Sequence, residues 1–138
     1  MHSSGGVKGA RHFTDLISWQ LADELRVEIF RFTNRPIFRR DLKFHSQTED
    51  AINSVCRNIA EGFGCETHPE FARFLGISRR SLNEVEDCLR AALLQRYVVE
   101  SELPVARSLI RRLKPALGRL IAYLRRTPNP GPYRRAKT

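Results

Sequence analysis

One stretch of the sequence decides the fold: Leu103-Pro-Val-Ala-Arg-Ser-Leu-Ile-Arg-Arg-Leu-Lys-Pro-Ala-Leu-Gly-Arg-Leu-Ile-Ala-Tyr-Leu124. Apolar residues recur in it at steps of three and four, which is the spacing of one face of an α-helix that packs against other helices. The spacing predicts an amphipathic helix whose inward residues are Leu103, Ala106, Ile110, Leu113, Leu117, Leu120 and Leu124.

A proline lies inside this predicted helix. Pro115 removes one backbone hydrogen bond and should cost about 3 kcal/mol in an ideal helix. The apolar repeat nevertheless passes through Pro115 with its phase unchanged, and the proline falls on the outward side. We therefore predict a helix that begins around 101–104, is kinked at Pro115 and ends at Arg126.

Three further segments show helical spacing, and none of the chain shows the sustained alternation of a strand. They are predicted at about 15–33, 41–61 and 67–97. Four amphipathic helices of about 20 residues with short connections predict an all-α, antiparallel up-down-up-down four-helix bundle. The predicted inward residues of the first three helices are Trp19, Ala22, Leu25, Ile29 and Phe32; Phe44, Ala51, Ile52, Val55 and Ile59; and Phe71, Leu75, Ser78, Leu82, Val85, Leu89 and Ala92.

Two signals mark the connection between the second and third helices. Gly62 and Gly64 follow the apolar repeat of the second helix, so we expect a glycine to adopt the left-handed conformation of a helix C-cap. A phosphate-binding loop is the alternative interpretation, but no strand precedes these glycines and the remaining residues of that motif are missing. Thr67 and Glu70 then form the pattern of a capping box.

The ends of the chain differ from its middle. Residues 1–12 are polar and lack the apolar stretch of a secretory signal, and no apolar run approaches the ~20 residues needed to cross a bilayer. We expect a flexible N-terminal segment at 1–12, the bundle at 13–126 and a basic, proline-rich tail at 127–138. The expected location is the cytoplasm, with no membrane partner.

The residues give no sign of a catalytic or metal site. Cys56, Cys65 and Cys88 are an odd number without a Cys-x-x-Cys pair, which predicts reduced, partly buried thiols. Cys65 and His68 form a Cys-x-x-His pair, but two ligands do not make a zinc site. No glutamate is followed three residues later by histidine, the spacing of di-metal bundles. We therefore predict a protein that is not an enzyme and has no cofactor.

Charge is distributed unevenly along the chain. The net charge is +9, yet residues 1–102 contain 14 lysines and arginines against 15 acidic residues. Residues 103–138 contain the other 10 basic residues and no acidic residue. Such segregation predicts a polyanionic partner. The predicted nucleic-acid-binding residues are Arg107, Arg111, Arg112, Lys114, Arg119, Arg125 and Arg126 on the fourth helix, and Arg134, Arg135 and Lys137 in the tail.

Three alternatives remain open for this basic stripe. The acidic residues Glu84, Glu86 and Asp87 of the third helix are expected either to face solvent or to pair with arginines of a neighbouring helix, which would neutralise the stripe. The stripe is also compatible with contact to an acidic protein surface or another subunit, and with a role in solubility alone. Arginine outnumbers lysine in it, which favours forked recognition of phosphate or carboxylate.

Several motifs resemble one family, the bacterial four-helix bundle proteins encoded by intervening sequences within large-subunit ribosomal RNA genes. The resemblance extends from about 13 to 126. One departure is the pair Glu49 and Asp50, at positions where that family usually has basic residues. The matching motifs are Phe13-Thr-Asp-Leu16, Trp19-Gln20-Leu-Ala22, Asn58-Ile-Ala-Glu-Gly-Phe-Gly64, Glu70-Phe71-Ala-Arg73-Phe74-Leu75 and Ser81-Leu82-Asn-Glu84-Val-Glu86.

The resemblance carries its own implications. The family is similar to the accessory variability protein of diversity-generating retroelements, which implies a homopentamer that binds RNA or DNA and partners a reverse transcriptase. Within the family signature, the residues themselves predict a structural role for Asn58, Glu61 and Gly62. We expect Asn58 and Glu61 to be a helix-end pair that satisfies loop backbone donors or bonds a neighbouring subunit.

Overall fold

The computed structural model describes residues 9–127, and these residues are all-helical. No strand is present among them. Four long helices and one short helix account for most of this part of the chain, with 3-10 turns at Phe13–Asp15 and Glu100–Glu102. The helices are α1 (Ile17–Thr33), α2 (Pro36–Arg39), α3 (Leu42–Phe63), α4 (His68–Leu94) and α5 (Pro104–Arg126). The predicted helical class and the four long segments are confirmed.

The predicted inward faces are confirmed almost throughout. Every predicted inward residue of α4 and α5 is buried, as are most of those in α1 and α3. Trp19 and Phe44 are only partly buried and pack against the rim of the core. Trp19 lies edge-on to Phe13, with 5.3 Å between the ring centroids.

The short helix α2 was not expected from the sequence. Pro36 does end the α1 repeat, but it also occupies the first turn of α2, where its missing N–H costs no hydrogen bond. Phe38 in this helix is 1% exposed and stacks on Phe44, with 5.1 Å between the centroids. The α1–α3 connection is therefore part of the core.

The left-handed conformation predicted for the glycine C-cap of the second helix is wrong. Gly64 is the C-cap of α3, but its φ of −81° lies in the right-handed region. Gly62 lies inside α3, where an added Cβ would be 2.8 Å from Cδ1 of Phe71. The packing of α4 against α3, rather than the chain direction at the turn, requires glycine at 62.

The left-handed C-cap occurs one helix later. Arg96 has a φ of 65°. Its N–H donates to the carbonyl of Leu93, and the N–H of Tyr97 donates to the carbonyl of Ala92 at 2.9 Å. These two bonds are those of a Schellman motif, and they satisfy carbonyls that the end of α4 would otherwise leave unpaired.

At the start of α4, Thr67 caps the helix as predicted. Its Oγ1 accepts from the backbone N–H of Glu70 at 3.3 Å. Within residues 9–127 the Glu70 side chain makes no return bond to Thr67, so the predicted capping box is only half formed. Pro69 lies in the first turn, where it is tolerated.

Helix α5 is continuous through Pro115, which is exposed as its outward phase predicts. The interior proline therefore does not break the helix into two. Over its 23 residues α5 is about 35 Å long at 1.5 Å per residue.

The four long helices contact one another in a ring: α1 with α3, α3 with α4, α4 with α5, and α5 with α1. Polar contacts join their ends. The Tyr97 hydroxyl beyond α4 donates to the Asp41 carboxylate before α3 at 2.8 Å, and Arg35 pairs with Glu102. Within residues 9–127, no helix combines the length and apolarity required to cross a bilayer.

Candidate nucleic-acid interface

The basic stripe lies on α5, whose inward apolar residues are buried and whose basic residues are exposed. Leu103, Leu113 and Leu120 are among the residues that face the core. The seven predicted basic residues of this helix are all exposed: Arg107, Arg111, Arg112, Lys114, Arg119, Arg125 and Arg126. The predicted tail residues Arg134, Arg135 and Lys137 lie outside the described residues.

These residues form two rows along α5. Lys114 pairs with Glu86 of α4, with 2.6 Å between Nζ and Oε1, and so identifies the flank of α5 that faces α4. Arg112, Arg119 and Arg126 follow one another at seven-residue steps on the other flank. Seven residues make almost two full turns of an α-helix, so residues at this spacing point in nearly the same direction. The three arginines therefore form a row along the helix.

Two of the seven basic residues are ion-paired. Lys114 bonds Glu86, and Arg107 bonds Glu100 in the turn before α5. Within residues 9–127, Arg111, Arg112, Arg119 and Arg125 have no carboxylate within ion-pair distance. The guanidinium of Arg126 lies over the Tyr123 ring, 5.7 Å from its centroid.

The acidic residues of α4 do not neutralise the stripe. Of the three acidic residues considered in the sequence, Glu86 is the one that contacts α5. Glu84 lies on the opposite flank of α4 and lines a cleft of about 650 Å³ against α3, together with Lys43, Asp50 and Arg57. Most of the positive charge on α5 is therefore left uncompensated by the described part of the chain.

A histidine anchors the far end of the basic helix. Nδ1 of His68, at the start of α4, lies 2.6 Å from the carbonyl oxygen of Thr127, the C-cap residue of α5. His68 is buried and its ring also lies near Tyr123. This contact places the last turn of α5, with Arg125 and Arg126, against the body of the protein.

Thiols and histidines do not assemble into a metal site. In the chain from 9 to 127, no group of three or more histidine, cysteine, aspartate or glutamate residues is placed to hold an ion. Cys56 and Cys88 are buried and Cys65 is partly buried, and none forms a disulfide. Burial raises the pKa of the Cys56 thiol to about 11.

Residues 14–119 match the sequence profile of the family described as 23S rRNA-intervening sequence protein. The match covers more than half of the chain. This chain belongs to the 23S rRNA-intervening sequence protein family. The resemblance seen in its motifs is thereby confirmed. No curated protein and no solved structure is significantly similar to this intervening-sequence protein.

In the family signature of this intervening-sequence protein, Asn58 bonds different groups from those expected. Asn58 is 6% exposed, and its Nδ2 donates to the carbonyl of Ser54 at 2.8 Å and to the Ser54 hydroxyl at 3.1 Å. That hydroxyl lies 2.7 Å from the hydroxyl of Ser81 on α4. The expected pairing of Asn58 with loop donors is therefore wrong, because Asn58 instead joins a polar bridge between α3 and α4.

Glu61 and Gly62 complete that signature. The Glu61 side chain is exposed and makes no hydrogen bond within residues 9–127, so its predicted contact with a neighbouring subunit stays a prediction. Gly62 is structural, as predicted, because Phe71 occupies the space a side chain would need.

Two exposed arginines of α4 escaped the sequence analysis. Arg79 and Arg90 lie on the same side of α4 as Glu86, at spacings of seven and four residues. The spacings are visible in the sequence. Which flank of α4 faces α5 becomes evident only from the contact between Glu86 and Lys114.

Proposed function

We propose that this protein is a non-catalytic, nucleic-acid-binding member of its family, folded as an antiparallel up-down-up-down four-helix bundle. The observation that carries the proposal is the set of exposed guanidinium groups on α5 that no carboxylate of residues 9–127 neutralises, with Arg111, Arg112 and Arg119 at its centre. Like charges at three- and four-residue spacing repel by a few tenths of a kcal/mol per pair, and bound phosphates would relieve that repulsion.

The contacts between helix ends support the antiparallel arrangement. Asp41 before α3 contacts Tyr97 after α4, while Phe63 at the end of α3 contacts Phe71 near the start of α4, with 6.3 Å between their centroids. The start of α4 likewise meets the end of α5 through the pair His68 and Thr127. Short connections between successive long helices are typical of this topology.

We further propose self-association. A group of exposed apolar side chains, which we call the apolar end, lies on the turns and helix termini at one end of the molecule, where Asp41 and Tyr97 meet. Contiguous exposed apolar patches mark protein contacts in many soluble proteins, and the location of these side chains at one end of the helices supports such a contact. The apolar end consists of Ile37, Leu42, Leu94, Val99 and Val105.

The biological setting is proposed on resemblance. The likeness to the accessory variability protein implies a homopentamer that serves a reverse transcriptase or another RNA-handling complex, and the cytoplasm is its proposed location. The family description refers to sequences within 23S rRNA, which relates the family to RNA without naming a ligand.

A second candidate is an assembly module whose basic helix contacts an acidic protein. The ion pairs of Arg107 with Glu100 and of Lys114 with Glu86 favour this candidate, because they show that side chains of the stripe bind carboxylates. The two candidates differ in the anion that α5 binds.

A binding titration separates them. Labelled single-stranded RNA of mixed sequence is titrated with the protein at several salt concentrations, with poly-glutamate as competitor. Nucleic-acid binding predicts a steep loss of affinity with salt, with a slope that counts several phosphate contacts. Absence of RNA binding at low salt would sink the proposal, and preferential binding of poly-glutamate would favour the assembly module.

Substitution of the stripe tests its location. Replacing Arg111, Arg112 and Arg119 together with glutamine is expected to weaken RNA binding without lowering the melting temperature, since all three side chains are exposed and unpaired within the described chain. The matched control removes the same charge elsewhere: Arg40→Gln, Arg57→Gln and Arg80→Gln. Equal losses of affinity in both triple variants would show that net charge, not α5, governs binding.

A further inference from the structure

Two contacts establish how α4 and α5 lie against each other. Glu86 on α4 meets Lys114 on α5 with 2.6 Å between their charged atoms, and His68 meets Thr127 with 2.6 Å between Nδ1 and the carbonyl oxygen. Residue numbers thus fall along α4 as they rise along α5. Each residue on the flank of α4 that faces α5 can therefore be matched to the residues of α5 beside it, which we call its level.

Two arginines of α4 lie beside the basic helix at these levels. Arg90 follows Glu86 by four residues and lies level with about 105–110, while Arg79 precedes Glu86 by seven residues and lies level with about 116–121. Both are exposed, and neither has an ion pair with residues 9–127. They flank the one carboxylate of α4 that pairs with α5.

The facing flank of α5 is also basic. Arg107, Arg111 and Arg125 share the side of Lys114, at spacings of seven, three and eleven residues. Gly118 lies on this side too, and an added Cβ there would have no atom within 4 Å. The facing flank of α5 is therefore open at the level of Gly118.

We propose that the groove between α4 and α5 holds the phosphate backbone of a nucleic acid, so that α4 supplies part of the binding surface. This inference rests on the proposed function and names its site. Six basic residues line this groove against two acidic residues, Glu86 and the Glu100 that pairs with Arg107, and that imbalance is complementary to a polyphosphate chain. The six, which we call the basic groove, are Arg79, Arg90, Arg107, Arg111, Lys114 and Arg125.

The length of the basic groove suits a strand better than a single anion. Arg107 and Arg125 are 18 residues apart, which is about 27 Å along α5. A lone phosphate would meet the fork of one or two arginines, whereas a strand spans all the levels at once. Binding through the groove should therefore be salt-sensitive and weakly dependent on base sequence.

The experiment compares two double variants of α4 in the full chain. Arg79→Gln with Arg90→Gln removes the groove arginines. Arg73→Gln with Arg80→Gln removes two exposed arginines that lie about 100–120° around α4 from Arg79, on a side turned away from α5. Binding of labelled single-stranded RNA of mixed sequence is measured by fluorescence anisotropy over a series of salt concentrations, and melting temperatures are measured in parallel.

The groove variant is expected to bind RNA more weakly and to show a salt slope shallower by about 1.4, since each lost contact to a single strand changes the slope by ~0.7. The control pair should keep the wild-type slope. A third variant, Arg79→Lys with Arg90→Lys, retains the charge and should retain most of the affinity. This lysine variant also shows whether the glutamine variant of the groove loses RNA binding through lost charge or through misfolding.

The outcomes separate this inference from the proposed function. Equal effects of the groove pair and the control pair, together with a loss on substituting Arg111, Arg112 and Arg119, would overturn the role of α4 and leave α5 as the binding helix. A wild-type protein that binds no RNA at low salt would overturn both.

Discussion

Gly62 and Phe71 lie so close that no side chain fits at position 62. An added Cβ there would be 2.8 Å from Cδ1 of Phe71 and 3.1 Å from Cβ of Phe74. Gly62 is in the last turn of α3 and Phe71 in the first turn of α4, so the contact brings the two helices together at their shared connection. Close approach of the helices, rather than a special backbone angle, explains this glycine.

The first prediction compares two helical glycines. Gly62→Ala is expected to destabilise the protein by about 1–3 kcal/mol, because Phe71 must move to admit the methyl group. Gly118→Ala is expected to stabilise it by about 0.5–1 kcal/mol, because its surroundings are open and alanine favours the helix. Urea denaturation measures both. Changes of the same sign would contradict the packing at Gly62.

The second prediction concerns the left-handed residue after α4. Arg96→Gly is expected to stabilise the protein by about 0.5–1 kcal/mol, because its φ of 65° strains a residue that carries a Cβ. Arg80→Gly serves as the control and should cost about 1 kcal/mol, since it lies in the exposed interior of α4. Destabilisation by both variants would show that Arg96 contributes contacts that outweigh its strain.

A third prediction tests the core of α5. Leu113 is 0% exposed, so Leu113→Ala should cost about 2–5 kcal/mol through lost burial and the cavity left behind. Val105 on the same helix is 55% exposed, and Val105→Ala should change the free energy of unfolding by less than about 0.5 kcal/mol. Similar losses for both would argue against the observed orientation of α5.

The fourth prediction is a pH dependence at Glu102. Hydrogen bonds from Arg35 and from the Val99 N–H lower the pKa of this carboxyl from 4.5 to about 2. The charged form is thus favoured in the folded state, so its contribution is fully present above pH 4.5 and is lost as the pH falls towards 2. The difference in urea midpoint between wild type and Glu102→Gln should therefore shrink across that interval.

Arg35 provides the check on this assignment, because its guanidinium is the largest cause of the lowered pKa. Arg35→Gln should remove most of the same pH dependence. If the difference between wild type and Glu102→Gln instead stayed constant from pH 5 to 3, the pairing would not form in solution.

The fifth prediction orders the reactivity of the thiols. Cys65 is the partly buried one, while Cys56 and Cys88 are buried. Burial raises the pKa of Cys56 to about 11 and also raises that of Cys88, which keeps both as unreactive thiols. Alkylation of the native protein followed by mass spectrometry should label Cys65 first. All three should react in urea, and early labelling of Cys56 would contradict its burial.

Much of the fold could be predicted because its signals are local. The apolar repeat identified the buried faces of α4 and α5, and Thr67 identified the start of α4. The short helix α2 escaped because four residues are too few to show a helical period. Phe38 contacts Phe44, which follows it closely in the chain, and Tyr97, which is distant in the chain.

The candidate site could be predicted in part for the same reason. The acid-free run after Leu103 and the seven-residue spacing of Arg112, Arg119 and Arg126 are properties of one helix. The contributions of Arg79 and Arg90 depend on the pairing of two helices, which no local spacing reports.

The sequence by itself determined where the four long helices lie, which face of each is apolar and where the positive charge is concentrated. These properties depend on helical periodicity and composition, which act over a few residues. Only the tertiary structure decided that Gly62 makes room for Phe71, that Asn58 bridges to α4 through Ser54, and that Glu86 is the acid opposite the stripe. Each of these depends on the rotation and level of one helix against another, which side-chain packing across the core sets.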